Sequence, residues 1–217
     1  MKIKQSRKPN LVLITEAGQI GKMGLNSKGL GQLQNGLFTG VSRVGVPYYA
    51  ILRKILNSEN INEAVENIKN IVRASSGNYM LSDKYGAIID VETSQTDYDI
   101  LTPTNSVIVH TNHYISKKIN VRDLALDILP DSLIRFDRAM QLLENKKGEI
   151  DIDIIKTILK DHFNFPYSIC RHIGNDSNFK DSMRTIVSII MDLNNLILWI
   201  AEGPPCENEY IKIKLNI

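Results

Sequence analysis

At 217 residues, 43% apolar and 23% charged, the chain has the length and balance of a globular protein with one well-filled core. Its 26 basic and 24 acidic side chains leave a net charge of +2, which gives no reason to expect a nucleic-acid or acidic-membrane partner. The polar start (residues 1–8), apolar runs far shorter than a membrane span and only two cysteines, Cys170 and Cys206, predict a reduced, cytoplasmic protein without a disulfide framework.

Residues 11–15 (LVLIT) are β-branched and aliphatic and predict a strand. Residues 20–25 and 30–37 predict two more, joined by Asn26-Ser27-Lys28-Gly29, a loop whose Asn and Gly tolerate positive φ. Glycines are dense over residues 18–40; turns and bulges explain them first, room for a substrate beside the sheet second. Pro47 opens a helix that ends near Asn57. Asn60 and Glu63 approach a capping box for a second helix. Ala64, Val65, Ile68, Ile71 and Val72 form its expected buried stripe, with Arg73 at its negative end. Strands over 78–82, 87–92 and 98–101 follow.

Residues 106–113, SVIVHTNH, predict a buried strand ending in Thr111, Asn112 and His113. By itself this favours a polar strand cap over a reactive site. Residues 114–129 are mixed, with Asn120 or Asp123 as helix caps. Pro130-Asp131-Ser132 starts a helix with Leu133, Phe136, Met140 and Leu143 on one face and Arg135 and Arg138 on the other. Another helix covers 152–162, and 174–180 is a polar loop. Residues 185–193 and 196–201 form a hairpin around Asn194-Asn195, which suits a type I′ turn, and 210–215 an edge strand. The order of elements excludes βαβ alternation. It predicts a single α+β domain over residues 1–217, with helices on the outer faces of two antiparallel sheets.

Metal chemistry is disfavoured: His110 and His113, three apart on a strand, point to opposite faces. The Cys170-x-His172 pair, with His162 nearby, is the other possible ligand set. Cys170 beside Arg171 and His172 is a candidate thiol nucleophile, but an isolated Cys next to Ile169 reads better as buried and inert. Phosphate-binding glycine loops and the G-x-S-x-G elbow are absent, so neither a cofactor nor a metal is expected.

The run TEAGQIGKMGLNSKGL from Thr15 closely resembles the acyl-coenzyme A:6-aminopenicillanic acid acyltransferase family of N-terminal-nucleophile hydrolases. GVPYYAILR, VHTNH, SICRH and MDLNNLILWIAEGPPC resemble it in the same order. The resemblance implies an αββα sandwich. It also implies a cysteine nucleophile exposed by autoproteolysis, whose own α-amino group is the base. It makes Asn112 an oxyanion donor, Asn35 a second active-site asparagine and Arg171 a residue near the nucleophile, with Thr111 and His113 as supports. Substrates would be a small acyl donor, acyl-coenzyme A among them, and an amine or amide. Residue 1 is Met where the family has its cysteine on earlier strands. The chain is therefore expected to be a truncated form without its first strands, with exposed sheet edges. It would be inactive alone unless a complementing N-terminal chain supplies the nucleophile. The alternative is a non-catalytic binding or scaffold remnant.

Overall fold

The structure, a computed structural model, describes residues 1–175 and 182–216. The chain divides into two compact units. The first comprises Met1–Leu124, Met191–Leu198 and Ile213–Ile217, the second Ala125–Ile190 and Trp199–Lys212.

The first unit contains a seven-stranded antiparallel sheet whose strands neighbour one another in chain order. They are β1 (Lys2–Ile3), β2 (Leu11–Ile14), β3 (Met23–Asn26), β4 (Leu30–Asn35), β5 (Gly77–Asp83), β6 (Ile88–Thr93) and β7 (Tyr98–Leu101). The strand expected from residue 20 begins at Met23, because Gly18 at φ 83° turns the chain and Gln19 bonds back to the Glu16 carbonyl.

Between β4 and β5 lie α1 (Tyr48–Leu56) and α2 (Ile61–Lys69). Pro47 precedes the first, and the Asn60 carboxamide caps the second by accepting from Glu63 N at 2.9 Å. The Glu63 carboxylate returns to Glu59 N, one residue short of a reciprocal capping box. Ile61, Ala64 and Ile68 are its buried face. Val72, expected in that stripe, is 59% exposed, because the helix stops at Lys69 and helical spacing no longer applies. Arg73 is buried and donates to the Ile68 carbonyl in the last helical turn.

The core joins the two helices to one face of the sheet: Ile51, Leu52, Ile55, Ala64 and Ile68 pack with Leu30, Tyr79, Leu81 and Val91. A Cβ on Gly77 would stand 2.1 Å from the Tyr48 ring, and one on Gly24 2.2 Å from the Val12 carbonyl. Close approach of helix and strand to these backbones explains both glycines.

The second unit holds α3 (Ala125–Ile128), α4 (Asp131–Glu144) and α5 (Ile152–Leu159). Asp151 caps α5 by accepting from Ile154 N at 2.8 Å. On α4 the buried positions are Asp131 and Ser132, whereas Leu133 is 44% exposed, opposite to the expected apolar face. The ion pairs of Asp131 with Arg135 and Arg171, and of Arg138 with Asp161, orient the helix. Asp123, one of the two expected caps, accepts from Tyr114 N at 2.8 Å.

β8 (Val187–Asp192), β9 (Ile197–Glu202) and β10 (Ile211–Lys214) form a second antiparallel sheet in the order β10-β9-β8. Leu196, at φ 55°, takes the left-handed conformation in the β8–β9 connection; Asn194 and Asn195 do not, so the expected type I′ turn is absent. The Asp192 carboxylate holds this loop by accepting from Asn195 N and Nδ2. The polar loop expected over 174–180 lies, from residue 176, outside the described residues. Among the described residues no helix is long and apolar enough to cross a membrane. Two antiparallel sheets with accompanying helices make the fold α+β.

Candidate active site

The segment carrying Asn112 is not a strand. After Asn105 and Ser106, both at positive φ, Val107 makes one isolated bridge to Thr104, and residues 108–113 continue as irregular chain. A lone bridge gives Val107–Val109 no ladder to join, so their β-branched character produces half-buried coil.

What fixes the segment is Glu92 on β6. Its Oε1 accepts from His110 Nε2 at 2.9 Å and from Ile115 N at 2.7 Å, and its Oε2 from Ser116 N at 2.8 Å. His110 Nδ1 faces the Thr111 carbonyl at 2.9 Å. Both ring nitrogens thus face oxygen atoms, one of them on a buried carboxylate. Thr111 Oγ1 lies 3.3 Å from His113 Nδ1. Between these buried neighbours, half-buried Asn112 donates from Nδ2 to the Gly36 carbonyl at 3.3 Å. The fold therefore brings Asn112 to the end of β4, beside Asn35.

Asn35 is in register with Asn78, and Asn78 with Glu92. All three are on the sheet face opposite the helix-packed core. Asn78 Nδ2 donates to Asp90 Oδ1 on that face. Asn78 Oδ1 and Asp90 Oδ2 are buried with no hydrogen-bond partner. Burial pushes the Asp90 carboxyl up to about 6, against the opposing pull of the His110 charge. Asp90 and Glu92 were missed by the sequence reading. Their signal is acidic residues at period two within the apolar run IIDVET.

Arg171 is in the second unit. Its Nη1 donates to Asp131 Oδ2 at 2.8 Å, an oxygen that also accepts from Arg135 Nε at 2.7 Å. The guanidinium lies 5.1 Å from the Tyr167 ring centroid. Cys170 is buried, and that burial raises its thiol to about 11, which opposes the thiolate a nucleophile needs. Among the described residues, His162, Cys170, His172 and Cys206 are the group able to hold a metal.

Residues 1–207 match the family model described as acyl-coenzyme A:6-aminopenicillanic acid acyl-transferase. The 40 kDa form of acyl-coenzyme A:6-aminopenicillanic-acid-acyltransferase from Emericella nidulans is 32% identical over 167 residues, 75% of this chain. The aligned part is 45% of that relative, so the chain spans about half the length of the curated protein it matches. A mutant conjugated bile acid hydrolase from Clostridium perfringens has a similar fold, with a TM-score of 0.65 at 18% identity over 98% of this chain and 83% of its own. Penicillin V acylase from Agrobacterium tumefaciens gives 0.62 at 16% identity, over 92% of this chain and 68% of its own. Those two likenesses show the fold alone, an α+β arrangement of antiparallel sheets and helices. The family match extends over nearly the whole sequence, and the chain belongs to the acyl-coenzyme A:6-aminopenicillanic acid acyltransferase family.

Proposed function

We propose that residues 1–217 are the scaffold and oxyanion-binding portion of an acyltransferase or amidohydrolase that works through an N-terminal cysteine released by autoproteolysis. The carrying observation is the placement of the Asn112 carboxamide against Gly36, at the end of the strand that bears Asn35. The Glu92 network makes Asn112 a donor held before the reaction begins, as oxyanion stabilisation requires.

In this reading the cysteine sulfur attacks the donor carbonyl while its α-amine takes the thiol proton. The negative oxygen of the tetrahedral intermediate accepts a hydrogen bond from Asn112 Nδ2, with Asn35 as the second asparagine of the site. The donor's C–N or C–S bond breaks, the leaving group takes the proton, and a thioester remains. An amine or water then attacks the thioester and releases the sulfur. Arg171 orients the substrate or nucleophile. Burial opposes a thiolate at Cys170. Neither Cys170 nor Cys206 occupies the nucleophile position of the family motif, so the nucleophile is taken to come from outside residues 1–217, on the same polypeptide or a complementing chain. A cytoplasmic setting suits the two free thiols.

The test compares residues 1–217 alone and combined with a cysteine-bearing N-terminal segment, using acyl-coenzyme A with 6-aminopenicillanic acid, and penicillin V as an amide donor. Turnover is expected only in the combined form. There Asn112→Ala should lower it by about a hundredfold or more. Unchanged turnover in a folded Asn112→Ala protein removes Asn112 from the mechanism. An assembled, folded complex without turnover on any acyl donor favours the scaffold alternative.

A further inference from the structure

We propose that His162, Cys170, His172 and Cys206 bind one zinc ion in a closed, structural Cys2His2 site. The four residues come from two places in the second unit. His162 follows α5, Cys170 and His172 are in the irregular run after it, and Cys206 is in the β9–β10 connection. One potential ligand atom from each lies within 4.8 Å of all the others.

Four of the six spacings within this cluster are close to those of a tetrahedron. Zinc bonds of about 2.3 Å to sulfur and about 2.05 Å to nitrogen require separations of about 3.8 Å for S–S, 3.6 Å for S–N and 3.4 Å for N–N. The structure has 3.5 Å between Cys170 Sγ and Cys206 Sγ. The His172 Nε2 atom stands 3.7 Å from Cys170 Sγ and 3.3 Å from Cys206 Sγ. It is 3.0 Å from His162 Nε2. The sulfurs are far beyond the bond length of a disulfide, about 2.05 Å.

A second observation points the same way. His172 Nδ1 faces Glu207 Oε1 at 3.4 Å, the carboxylate–histidine pairing that supports metal-bound imidazoles. With the proton on Nδ1, the Nε2 lone pair is directed at the cluster. That lone pair is then approached by two thiols and an imidazole nitrogen, and it can accept from only one. A cation at the centre satisfies all four groups at once.

The backbone supports the geometry. Cys170 N donates to the Asp161 carbonyl at 3.0 Å, bringing Cys170 beside His162, and His172 N donates to the Pro166 carbonyl at 3.0 Å. Two thiolates with two imidazoles in a tetrahedral set select zinc over harder cations, and four protein ligands leave no open coordination position. The ion therefore has a structural role: it ties the irregular run to the β9–β10 connection and fixes the backbone on both sides of Arg171.

The test uses the full 217-residue chain, purified reducing and zinc-loaded, then freed of loosely held metal. Elemental analysis should find about one zinc per chain. Both thiols should resist alkylation until a chelator is added, and chelation should lower the thermal midpoint by several degrees. Cobalt replacement should give thiolate-to-cobalt charge-transfer absorption. Cys206→Ala, at an exposed ligand, should abolish tight binding in a folded chain, and Glu207→Gln should weaken it roughly 10- to 100-fold. The proposal is overturned by a folded chain that retains no zinc, by Cys206→Ala that keeps its full equivalent, or by a Cys170–Cys206 disulfide in the unreduced protein. If Cys206→Ala does not fold, the cobalt spectrum of the unaltered chain decides, and absence of the thiolate band overturns the proposal.

Discussion

Across β4, β5 and β6 the two faces of the sheet carry different chemistry, although the face opposite the helices also holds Val12, Leu25, Leu33, Met80 and Ile88. Toward the helices, Leu30, Tyr79, Leu81 and Val91 pack into an apolar cluster with Ile51, Leu52 and Ile55. On the other face, Asn35, Asn78, Asp90 and Glu92 stand in adjacent registers, three of them fully buried. β6 shows the contrast residue by residue, with Val91 in the core and its neighbours Asp90 and Glu92 turned the other way. Burying three polar side chains where apolar ones would stabilise the sheet is costly. One of them, Glu92, recovers its cost through three hydrogen bonds that hold the Asn112 segment. The apolar face makes the scaffold, and the polar face aims it.

The largest test of this contrast is Glu92→Ala. It leaves the buried His110 ring and two backbone N–H groups without their carboxylate partner, which should cost about 3–5 kcal/mol. Denaturant titration measures the loss. If polar and apolar faces did the same work, the cost would match only the lost volume. Amide exchange at Ile115 and Ser116 should accelerate more than at the Leu81 and Val91 amides, separating local release of the loop from general destabilisation.

The apolar face was legible in the sequence, and the polar one only in part. Residues 11–15 and 30–37, Pro47 and the Asn60 cap predict β2, β4, α1 and α2 because their patterning is local. Residues 107–109 misled, because a β-branched run is a strand only where a partner strand accepts its hydrogen bonds, and only Thr104 is opposite Val107. Asn112 and Asn35 are candidates through resemblance alone, and their shared location comes from tertiary structure. Cys170, His172 and His162 are close in sequence and were weighed as ligands. Cys206, 34 residues beyond His172, joins them only through the fold.

Asp90 offers a test with the opposite sign. Burial raises its carboxyl from 3.8 to about 6, so the folded state holds the proton more tightly than the unfolded state. Stability from this group is fully present below about pH 3.8 and is lost as the pH rises through about 6. Asp90→Asn keeps the shape and a partner for Asn78 without the charge. It should be more stable than the parent by about 3 kcal/mol above pH 7, with the difference vanishing toward pH 4. Denaturation midpoints at a series of pH values measure this. A variant less stable than the parent at pH 8 would show that ionised Asp90 is satisfied by the His110 charge, contrary to the dominance of burial.

The smallest effect belongs to the apolar face's helical cover. Asn60 Oδ1 accepts from Glu63 N at the exposed start of α2 and touches neither the core cluster nor the Asn112 segment. Asn60→Ala should cost about 1 kcal/mol, the usual value of a lost side-chain cap. Because the loss is confined to the helix end, the pH dependence owed to Asp90 should be unchanged, and amide exchange at Ile115 and Ser116 should move only by the global 1 kcal/mol. A larger, selective acceleration at those two amides would mean that the covering helices also hold the polar face, and the division of labour between the two faces would fail.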